Sequence, residues 1–179
     1  MALTRLSNQS LTSISSLPAA ISTGKVLQIQ TTTKENAFST TSTSFVDITG
    51  LSVSITPTSS SNKIFVMSHI HVSHGASRGM YVQLVRGSTE LHRGEASSNR
   101  IRATVGTCSD EPASTANAYT GGFQYLDSPA TTSATTYKLQ ARIGSTNEGH
   151  INKKTDDQDN DSGYRFASGI TVMEIEAWL

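Results

Sequence analysis

Two histidines, His69 and His71, are the residues of this sequence whose type and spacing point most directly to chemistry. They lie in the segment 63–73, which is predicted as the strongest strand, and alternate residues of a strand share one face. Phe65 and Met67 share the histidine face. The other face is aliphatic and carries Ile64, Val66, Ile70 and Val72. Because both faces carry apolar residues, we expect this strand to be covered on both sides.

A transition-metal site is one interpretation of the histidine pair. If the face that carries His69 and His71 lined a three-fold axis between three copies of the chain, six imidazoles would surround that axis. The alternative interpretation is that both are interface or surface histidines, hydrogen-bonded to neighbouring groups or to water. The metal site therefore depends on a homotrimer.

A second candidate site is the acidic run at 156–161, where Asp157, Asp159 and Asp161 alternate. Alternating carboxylates at positions 1, 3 and 5 are typical of calcium loops. The pattern then departs from an EF-hand, since glycine is at position seven (Gly163) and serine at position twelve (Ser168). Three interpretations stay open: a looser calcium loop, a solvated acidic loop, or an acidic tip that contacts a basic partner.

Signatures of catalysis are absent from the sequence. No nucleophile elbow, phosphate-binding loop or zinc-protease motif occurs. Asp110, Glu111 and Asp127 offer carboxylates for glycoside cleavage, but their spacing selects no pair. Cys108 lies close to Asp110 and Glu111, and neighbouring acids raise the pKa of a thiol, so it is a poor nucleophile. We expect no enzyme and no cofactor.

Aromatic residues in the segment 119–126 permit two further interpretations. Tyr119, Phe123 and Tyr125 alternate with Gly121 and therefore share one face of a strand. Exposed tyrosines could stack on sugars or anchor an interface, whereas inward-facing ones would fill a core. We favour the core.

Composition narrows the class of protein that must position these residues. The 179 residues include 14 basic and 14 acidic side chains, and charged residues make up only 16% of the chain. A net charge of zero argues against a general nucleic-acid binder. Abundant Ser, Thr and β-branched residues disfavour helices and favour strands. No run of 18 apolar residues occurs, and the N-terminus does not pass from a charged to an apolar region, so neither a membrane span nor a secretory signal is expected.

From residue 25 onward the hydrophobic pattern has period two, which is typical of strands. It predicts strands over 26–33, 45–48, 51–55, 63–73, 80–86, 89–92, 101–105, 119–126, 135–143 and 170–178. Gly50 is expected to break the second from the third, and Gly87-Ser88 to form a hairpin tip. Short strands at such intervals, without helices between them, predict an all-β, jelly-roll-like antiparallel sandwich over 25–179.

The first two dozen residues differ from the rest and are predicted to be an N-terminal anchoring arm. They place apolar residues every three to five positions among Ser, Thr, Asn and Gln, a segment too short and too polar to form a core alone. The apolar positions expected to dock are Leu3, Leu6, Leu11, Ile14, Leu17 and Ile21.

Several segments resemble a β-module common in appendage proteins of marine tailed bacteriophages. The similarity is carried, in order, by 39–47 (STTSTSFVD), 48–57 (ITGLSVSITP), 60–64 (SSNKI), 83–88 (QLVRGS), 126–130 (LDSPA), 135–142 (TTYKLQAR) and 170–175 (ITVMEI). The order of elements is also similar to trimeric jelly rolls of the tumour-necrosis-factor and complement type. In those, a long central strand, a hairpin and a hydrophobic last strand build a three-fold interface. Segments 63–73, 80–92 and 170–178 would take those places here.

The resemblance implies a structural protein on the surface of a phage virion, a trimeric fibre or capsid-decoration knob. Its expected partners are two further copies of itself and, through the arm, a capsid or tail protein of the phage. The alternative is a tail-fibre tip that recognises a host surface glycan or protein through loops at 93–118 and 145–168. Neither nucleic-acid binding nor membrane insertion is expected.

Overall fold

The computed structural model describes residues 25–75, 79–107, 118–144, 148–161 and 163–177. Within them the chain forms strands and no helix, so no helix of membrane-spanning length and hydropathy occurs there. The strands are β1 Val26–Lys34, β2 Phe38–Thr40, β3 Val46–Ile55, β4 Lys63–His74, β5 Met80–Arg86, β6 Thr89–Leu91, β7 Val105–Gly106, β8 Ala118–Asp127, β9 Thr135–Ile143, β10 Gly149–Ile151 and β11 Ser168–Ile175. The prediction of an all-β sandwich is confirmed.

Strand pairing follows the nested order of a jelly roll. β1 pairs with β11, β3 with β9, β4 with β8, and β5 with β6, all antiparallel. Each pair lies inside the previous one along the chain, as if one long hairpin had been rolled up. Rolling places β1, β11, β4 and β8 in one sheet and β3, β9, β5 and β6 in the other.

The core fills the space between the two sheets. Burial alternates along β4. The inner face carries the buried residues Ile64, Val66, Ser68, Ile70 and Val72. The residues between them, on the outer face, are half-buried or exposed. β9 contributes Tyr137, Leu139 and Ala141 to the same core. Each fully buried aliphatic side chain contributes about 1.5–3 kcal/mol to folding, so these inner faces hold the sheets together.

The prediction for the segment around Gly50 was wrong in one respect. Residues 46–55 form one strand, β3, with a register shift between Asp47 and Ser52 against β9. Gly50 has φ +86°, a conformation open to glycine, so it forms a bulge instead of a break.

Three short elements differ from the predicted strands. β2 and β10 were not predicted, since a strand of three residues is too short to show alternation. The strand predicted over 101–105 is reduced to β7, because the residues before it fold into a loop in which Gly94 N–H donates to the Ala103 carbonyl (3.2 Å). The hairpin at Gly87-Ser88 is confirmed, with Arg86 opposite Thr89.

Candidate self-association face

The outward side of the sheet formed by β1, β11, β4 and β8, which we call the open face, is the site that the fold assembles. Cross-strand registers align one residue from each strand into rows across it. The first row is wholly apolar and consists of Ile29, Met173, Phe65 and Leu126. The second row consists of Thr31, Thr171, Met67 and Gln124. The third row consists of Thr33, Gly169, His69 and Gly122.

Large apolar side chains on the open face are exposed. Ile29 is 55% exposed, Leu126 53% and Met67 41%. β4 was expected to be covered on both sides. Within a single chain its inner face is covered, but its outer face, which belongs to the open face, is not. A contiguous row of exposed apolar residues is typical of an interaction surface.

Charged side chains are missing from these three rows, and Lys63 stands at the margin of the face, where its Nζ donates to Ser128 Oγ (2.8 Å). The outer side of the other sheet is different. There Asp47 accepts hydrogen bonds from Lys138 (2.8 Å) and Gln140 (2.7 Å), which lower the pKa of its carboxyl. The two outer faces thus differ: one carries charged and amide side chains, and the other exposes apolar and small uncharged ones.

The two candidate histidines lie at the far end of the open face. Their ring centroids are 6.1 Å apart in an edge-on arrangement, and the His71 ring stacks on Phe166 at 4.6 Å. Thr120 Oγ1 and His71 Nδ1 are hydrogen-bonded at 2.8 Å. Burial lowers the pKa of His71, and the nearby His69 lowers it further, so the ring is neutral at pH 7.

A shallow depression of about 490 Å³ surrounds His69. It exists because the neighbours of His69 on both adjacent strands are glycines, Gly122 on β8 and Gly169 on β11. A Cβ atom on Gly169 would lie 3.0 Å from Cε1 of His69, so a larger residue would push the ring away. The face therefore has an apolar half and a recessed imidazole half.

The position of His71 is held by a buried polar chain of hydrogen bonds. Its backbone N–H donates to Ser168 Oγ (3.1 Å), which donates to Asn152 Oδ1 (2.6 Å), and Asn152 Nδ2 donates to the Lys34 carbonyl (2.7 Å). Asn152 has φ +63°, which asparagine tolerates better than most residues. β4, β11 and β1 are thus tied together at the histidine end.

The metal interpretation of His69 and His71 stays a prediction, since it requires three copies. In the described part of the chain, no three His, Cys, Asp or Glu side chains come together in a way that could hold a metal ion. A metal at the histidines would therefore have to take ligands from neighbouring copies.

In the acidic run 156–161, the first of the three candidate calcium ligands forms ion pairs with cations of the chain itself. Asp157 forms ion pairs with Arg165 and with Lys153 (3.5 Å), while Asp159 and Asp161 are exposed. Burial alone would raise the pKa of Asp157, but the hydrogen bond from Arg165 and the charge of Lys153 lower it overall. The calcium interpretation stays a prediction, with one of its three ligands already engaged.

The remaining candidate residues are divided between the core and segments outside the described residues. The aromatic rings of Tyr119, Phe123 and Tyr125 pack against the core, as favoured. Asp127 is buried, which does not suit a carboxylate that must reach a polysaccharide. Outside the described residues lie Asp110, Glu111, Cys108, and the arm positions Leu3, Leu6, Leu11, Ile14, Leu17 and Ile21.

Asp127 belongs to a buried polar triad that sequence patterns did not reveal. Its Oδ2 accepts hydrogen bonds from Arg86 Nη1 (2.7 Å) and from Tyr137 Oη (2.6 Å). Burial and then the Asp127 carboxylate raise the pKa of Tyr137, so the phenol stays protonated and donates. The triad links β8, β5 and β9 across the end of the sandwich.

Glu174 forms a second buried site that sequence patterns did not reveal. The carboxylate accepts hydrogen bonds from Gln28 Nε2 (2.6 Å), Asn62 Nδ2 (2.6 Å), and both N–H (2.6 Å) and Oγ1 (2.7 Å) of Thr58. Burial alone would raise the pKa of Glu174, but these hydrogen bonds outweigh it and hold the pKa at about 2. The available signal was an acid at an inward position of a hydrophobic strand, in phase with Ile170 and Val172.

Of the three segments expected to build a trimer interface, two share the open face. β4 and β11 are neighbours in it, but the hairpin β5–β6 belongs to the other sheet. An interface centred on the open face would therefore use β1 and β8 instead of the hairpin.

Comparison with known proteins finds no similar sequence and only weak similarity to solved structures. The sequence matches no protein-family model and no curated protein. Among solved structures, the chain is similar to a structure of infectious bursal disease virus, Gx strain (12% identity, TM-score 0.35, 84% of this chain) and to the VP2 subviral particle of the same virus (13%, 0.35, 83%). The chain spans 37% and 39% of those two chains. These neighbours are viral capsid structures, and at this TM-score the likeness carries no argument about function.

Proposed function

We propose that this chain is a structural protein of a tailed-bacteriophage virion, a homotrimeric fibre or decoration knob that assembles through its open face. The observation that carries the proposal is the contrast between the two outer faces. The open face exposes Ile29, Met67 and Leu126, whereas the opposite face carries the Asp47–Lys138 ion pair.

Apolar and small uncharged side chains favour burial between copies. Association buries them without the desolvation cost that charges incur, and each Å² of apolar surface removed from water contributes about 25 cal/mol. A three-fold arrangement would place the open faces of three copies around one axis. The resemblance to trimeric jelly rolls implied such a place for β4 and β11, whereas the hairpin β5–β6 that it also implied lies in the other sheet.

Attachment to the particle is assigned to the arm, residues 1–24. Its six apolar positions would bury against a capsid or tail protein, while the jelly roll presents its loops outward. This part of the proposal is supported by the composition of the arm, in which apolar residues recur among polar ones in a segment too short to form a core alone. Binding, not catalysis, is the proposed mechanism.

Sedimentation equilibrium on the full chain tests the assembly. We expect a mass of three times 19.1 kDa at micromolar concentration. Leu126→Glu places a charge in the apolar row and should shift the mass to that of a monomer, because burying an unpaired charge costs several kcal/mol per copy. Ser52→Glu is the matched control, since Ser52 is exposed on the other sheet opposite Lys138.

Two results would overturn the assembly proposal. One is a wild-type chain that sediments as a monomer over the whole concentration range. The other is a Leu126→Glu variant that remains a trimer with a wild-type circular dichroism spectrum, which would place the interface elsewhere.

A further inference from the structure

A cleft of about 630 Å³ lies on the other sheet, between β5 and the segment 93–103, which we call the arginine loop. Arg100 and Arg102 line it together with Tyr81 on β5. The volume is in the range of sites that hold small ligands.

Hydrogen bonds hold the arginine loop in a defined conformation. Gly94 N–H donates to the Ala103 carbonyl (3.2 Å), and Arg100 N–H donates to the Ser97 carbonyl (3.1 Å) in a turn at the tip. Thr104 N–H donates to the Val82 carbonyl (2.9 Å) and joins the base of the loop to β5. A ligand would therefore meet a preformed wall and would lose less affinity to ordering.

Both guanidinium groups are themselves positioned. Arg102 Nε donates to the Gly94 carbonyl (2.7 Å), and Arg100 Nη1 donates to Ser97 Oγ (2.7 Å). A guanidinium has five N–H donors in a planar fork that suits carboxylate and sulfate groups, so each retains donors for an anion.

The charge balance of the cleft favours an anion. Among its described lining residues, Arg100 and Arg102 are opposed by one acid, Glu95. Arg93, at the start of the loop, is already paired with Glu90 (2.6 Å). The lining therefore carries a net positive charge.

The rest of the lining is apolar or bears hydroxyl groups. Tyr81, Ile101 and Val105 supply apolar surface, and Ser97 and Thr107 supply hydroxyls. A sugar ring offers both a C–H face and hydroxyl groups, and an acidic sugar adds the anion. A phosphate polymer would require a more continuous basic surface than a chain of zero net charge provides.

We propose that this cleft binds an acidic polysaccharide, with Arg100 and Arg102 holding a carboxylate or sulfate group and Tyr81 forming the wall beside the ring. The cleft belongs to the sheet opposite the open face, so this binding is independent of self-association.

Isothermal titration calorimetry on the full chain tests the proposal. A salt concentration of about 0.05 M limits the screening of the charges in the cleft. Polygalacturonate and dextran sulfate are the two anionic probes, and neutral dextran and an oligodeoxythymidine are the comparisons. We expect binding of at least one anionic probe, with the better of the two identifying the preferred acidic group.

Variants assign the binding to the cleft. Arg102→Gln and Arg100→Gln should each weaken it by about tenfold, the usual consequence of losing a charge-assisted hydrogen bond. Both changes also remove a hydrogen bond within the loop, so Glu95→Lys is the decisive variant. Glu95 is exposed, and reversing its charge should tighten binding by about threefold without altering the loop. Lys25→Gln is the control. Lys25 directly precedes β1, which lies in the sheet that does not carry the cleft, so this variant should bind like wild type.

Several results would overturn the proposal. The proposal fails if neither polygalacturonate nor dextran sulfate binds. It also fails if neutral dextran binds as tightly as the anionic probes. Tighter binding of the oligonucleotide than of both polysaccharides would point to a phosphate polymer instead. Binding that Glu95→Lys does not tighten would place the anion outside this cleft.

Discussion

Replacing Glu174 by glutamine tests whether the buried carboxylate stabilises the fold as a charge. Glu174 is fully buried and accepts four hydrogen bonds from Gln28, Thr58 and Asn62. Glutamine keeps the shape of the side chain but turns one acceptor oxygen into a donor amide. That amide must then face at least one of the N–H groups that the carboxylate now satisfies.

The magnitude follows from the pKa of Glu174. A fall of the pKa from 4.5 in the unfolded chain to about 2 in the folded one is equivalent to roughly 3 kcal/mol of stability. Because the folded-state pKa is the lower one, this stability is fully present above pH 4.5 and is lost as the pH falls from 4.5 towards 2.

Urea denaturation of both proteins, at equal concentration and at several pH values, measures the effect. We expect Glu174→Gln to lower the free energy of unfolding by roughly 3 kcal/mol at pH 7 and by much less near pH 2. Glu176→Gln is the matched control, because Glu176 is two residues away, 45% exposed, and 3.7 Å from Lys25. Its loss should be below about 0.5 kcal/mol.

The reasoning about Glu174 fails if the two variants lose the same stability at pH 7. It also fails if the loss in Glu174→Gln is the same at pH 7 and pH 3, since a neutral acceptor would then serve as well as a charged one.

The remaining predictions concern assembly, the triad, the acidic loop and the arm. Self-association, measured by sedimentation, should weaken as the pH is brought from 8 to below the lowered pKa of His71, because protonation of the ring would then place a charge on the open face; a mass that stays constant throughout that titration would contradict this. Tyr137→Phe removes one donor to Asp127 and should lower the free energy of unfolding by about 1 kcal/mol in urea, and a stabilised variant would refute the triad's role. If the acidic loop binds calcium, equilibrium dialysis should show binding that Asp159→Asn abolishes, and its absence in wild type would remove the interpretation. Deleting residues 1–23 should leave a folded jelly roll that no longer pellets with virions lacking this protein, whereas pelleting without the arm would place the attachment elsewhere.

Local patterns in the sequence were sufficient to predict most long strands. The alternation in 63–73 correctly separates the buried face of β4 from the face that carries His69 and His71. The turn at Gly87-Ser88 was also predictable, because the conformation of a two-residue loop depends on its own residues. These features share one physical basis: neighbours in sequence determine them through side-chain periodicity and backbone sterics.

Features that join distant segments were decided by the tertiary structure. The carboxylate of Glu174 takes donors from residues 112 to 146 positions away, and Asp127 meets Arg86 across 41 positions. The acidic run was visible in the sequence, but its Asp157 turns to Arg165 and Lys153 instead of gathering the other acids. The periodicity of the sequence shows which acids face inward, but not which distant donors will form hydrogen bonds with them.

The open face shows most clearly how the two levels combine. Sequence alone determined that Phe65 and Met67 lie on the histidine side of β4. The rolling of the chain decided that β11 and β8 flank this strand, and so placed Met173 and Leu126 on either side of Phe65. An apolar row four strands wide therefore arises from residues spread over positions 29 to 173, because a sheet brings together strands that the chain keeps far apart.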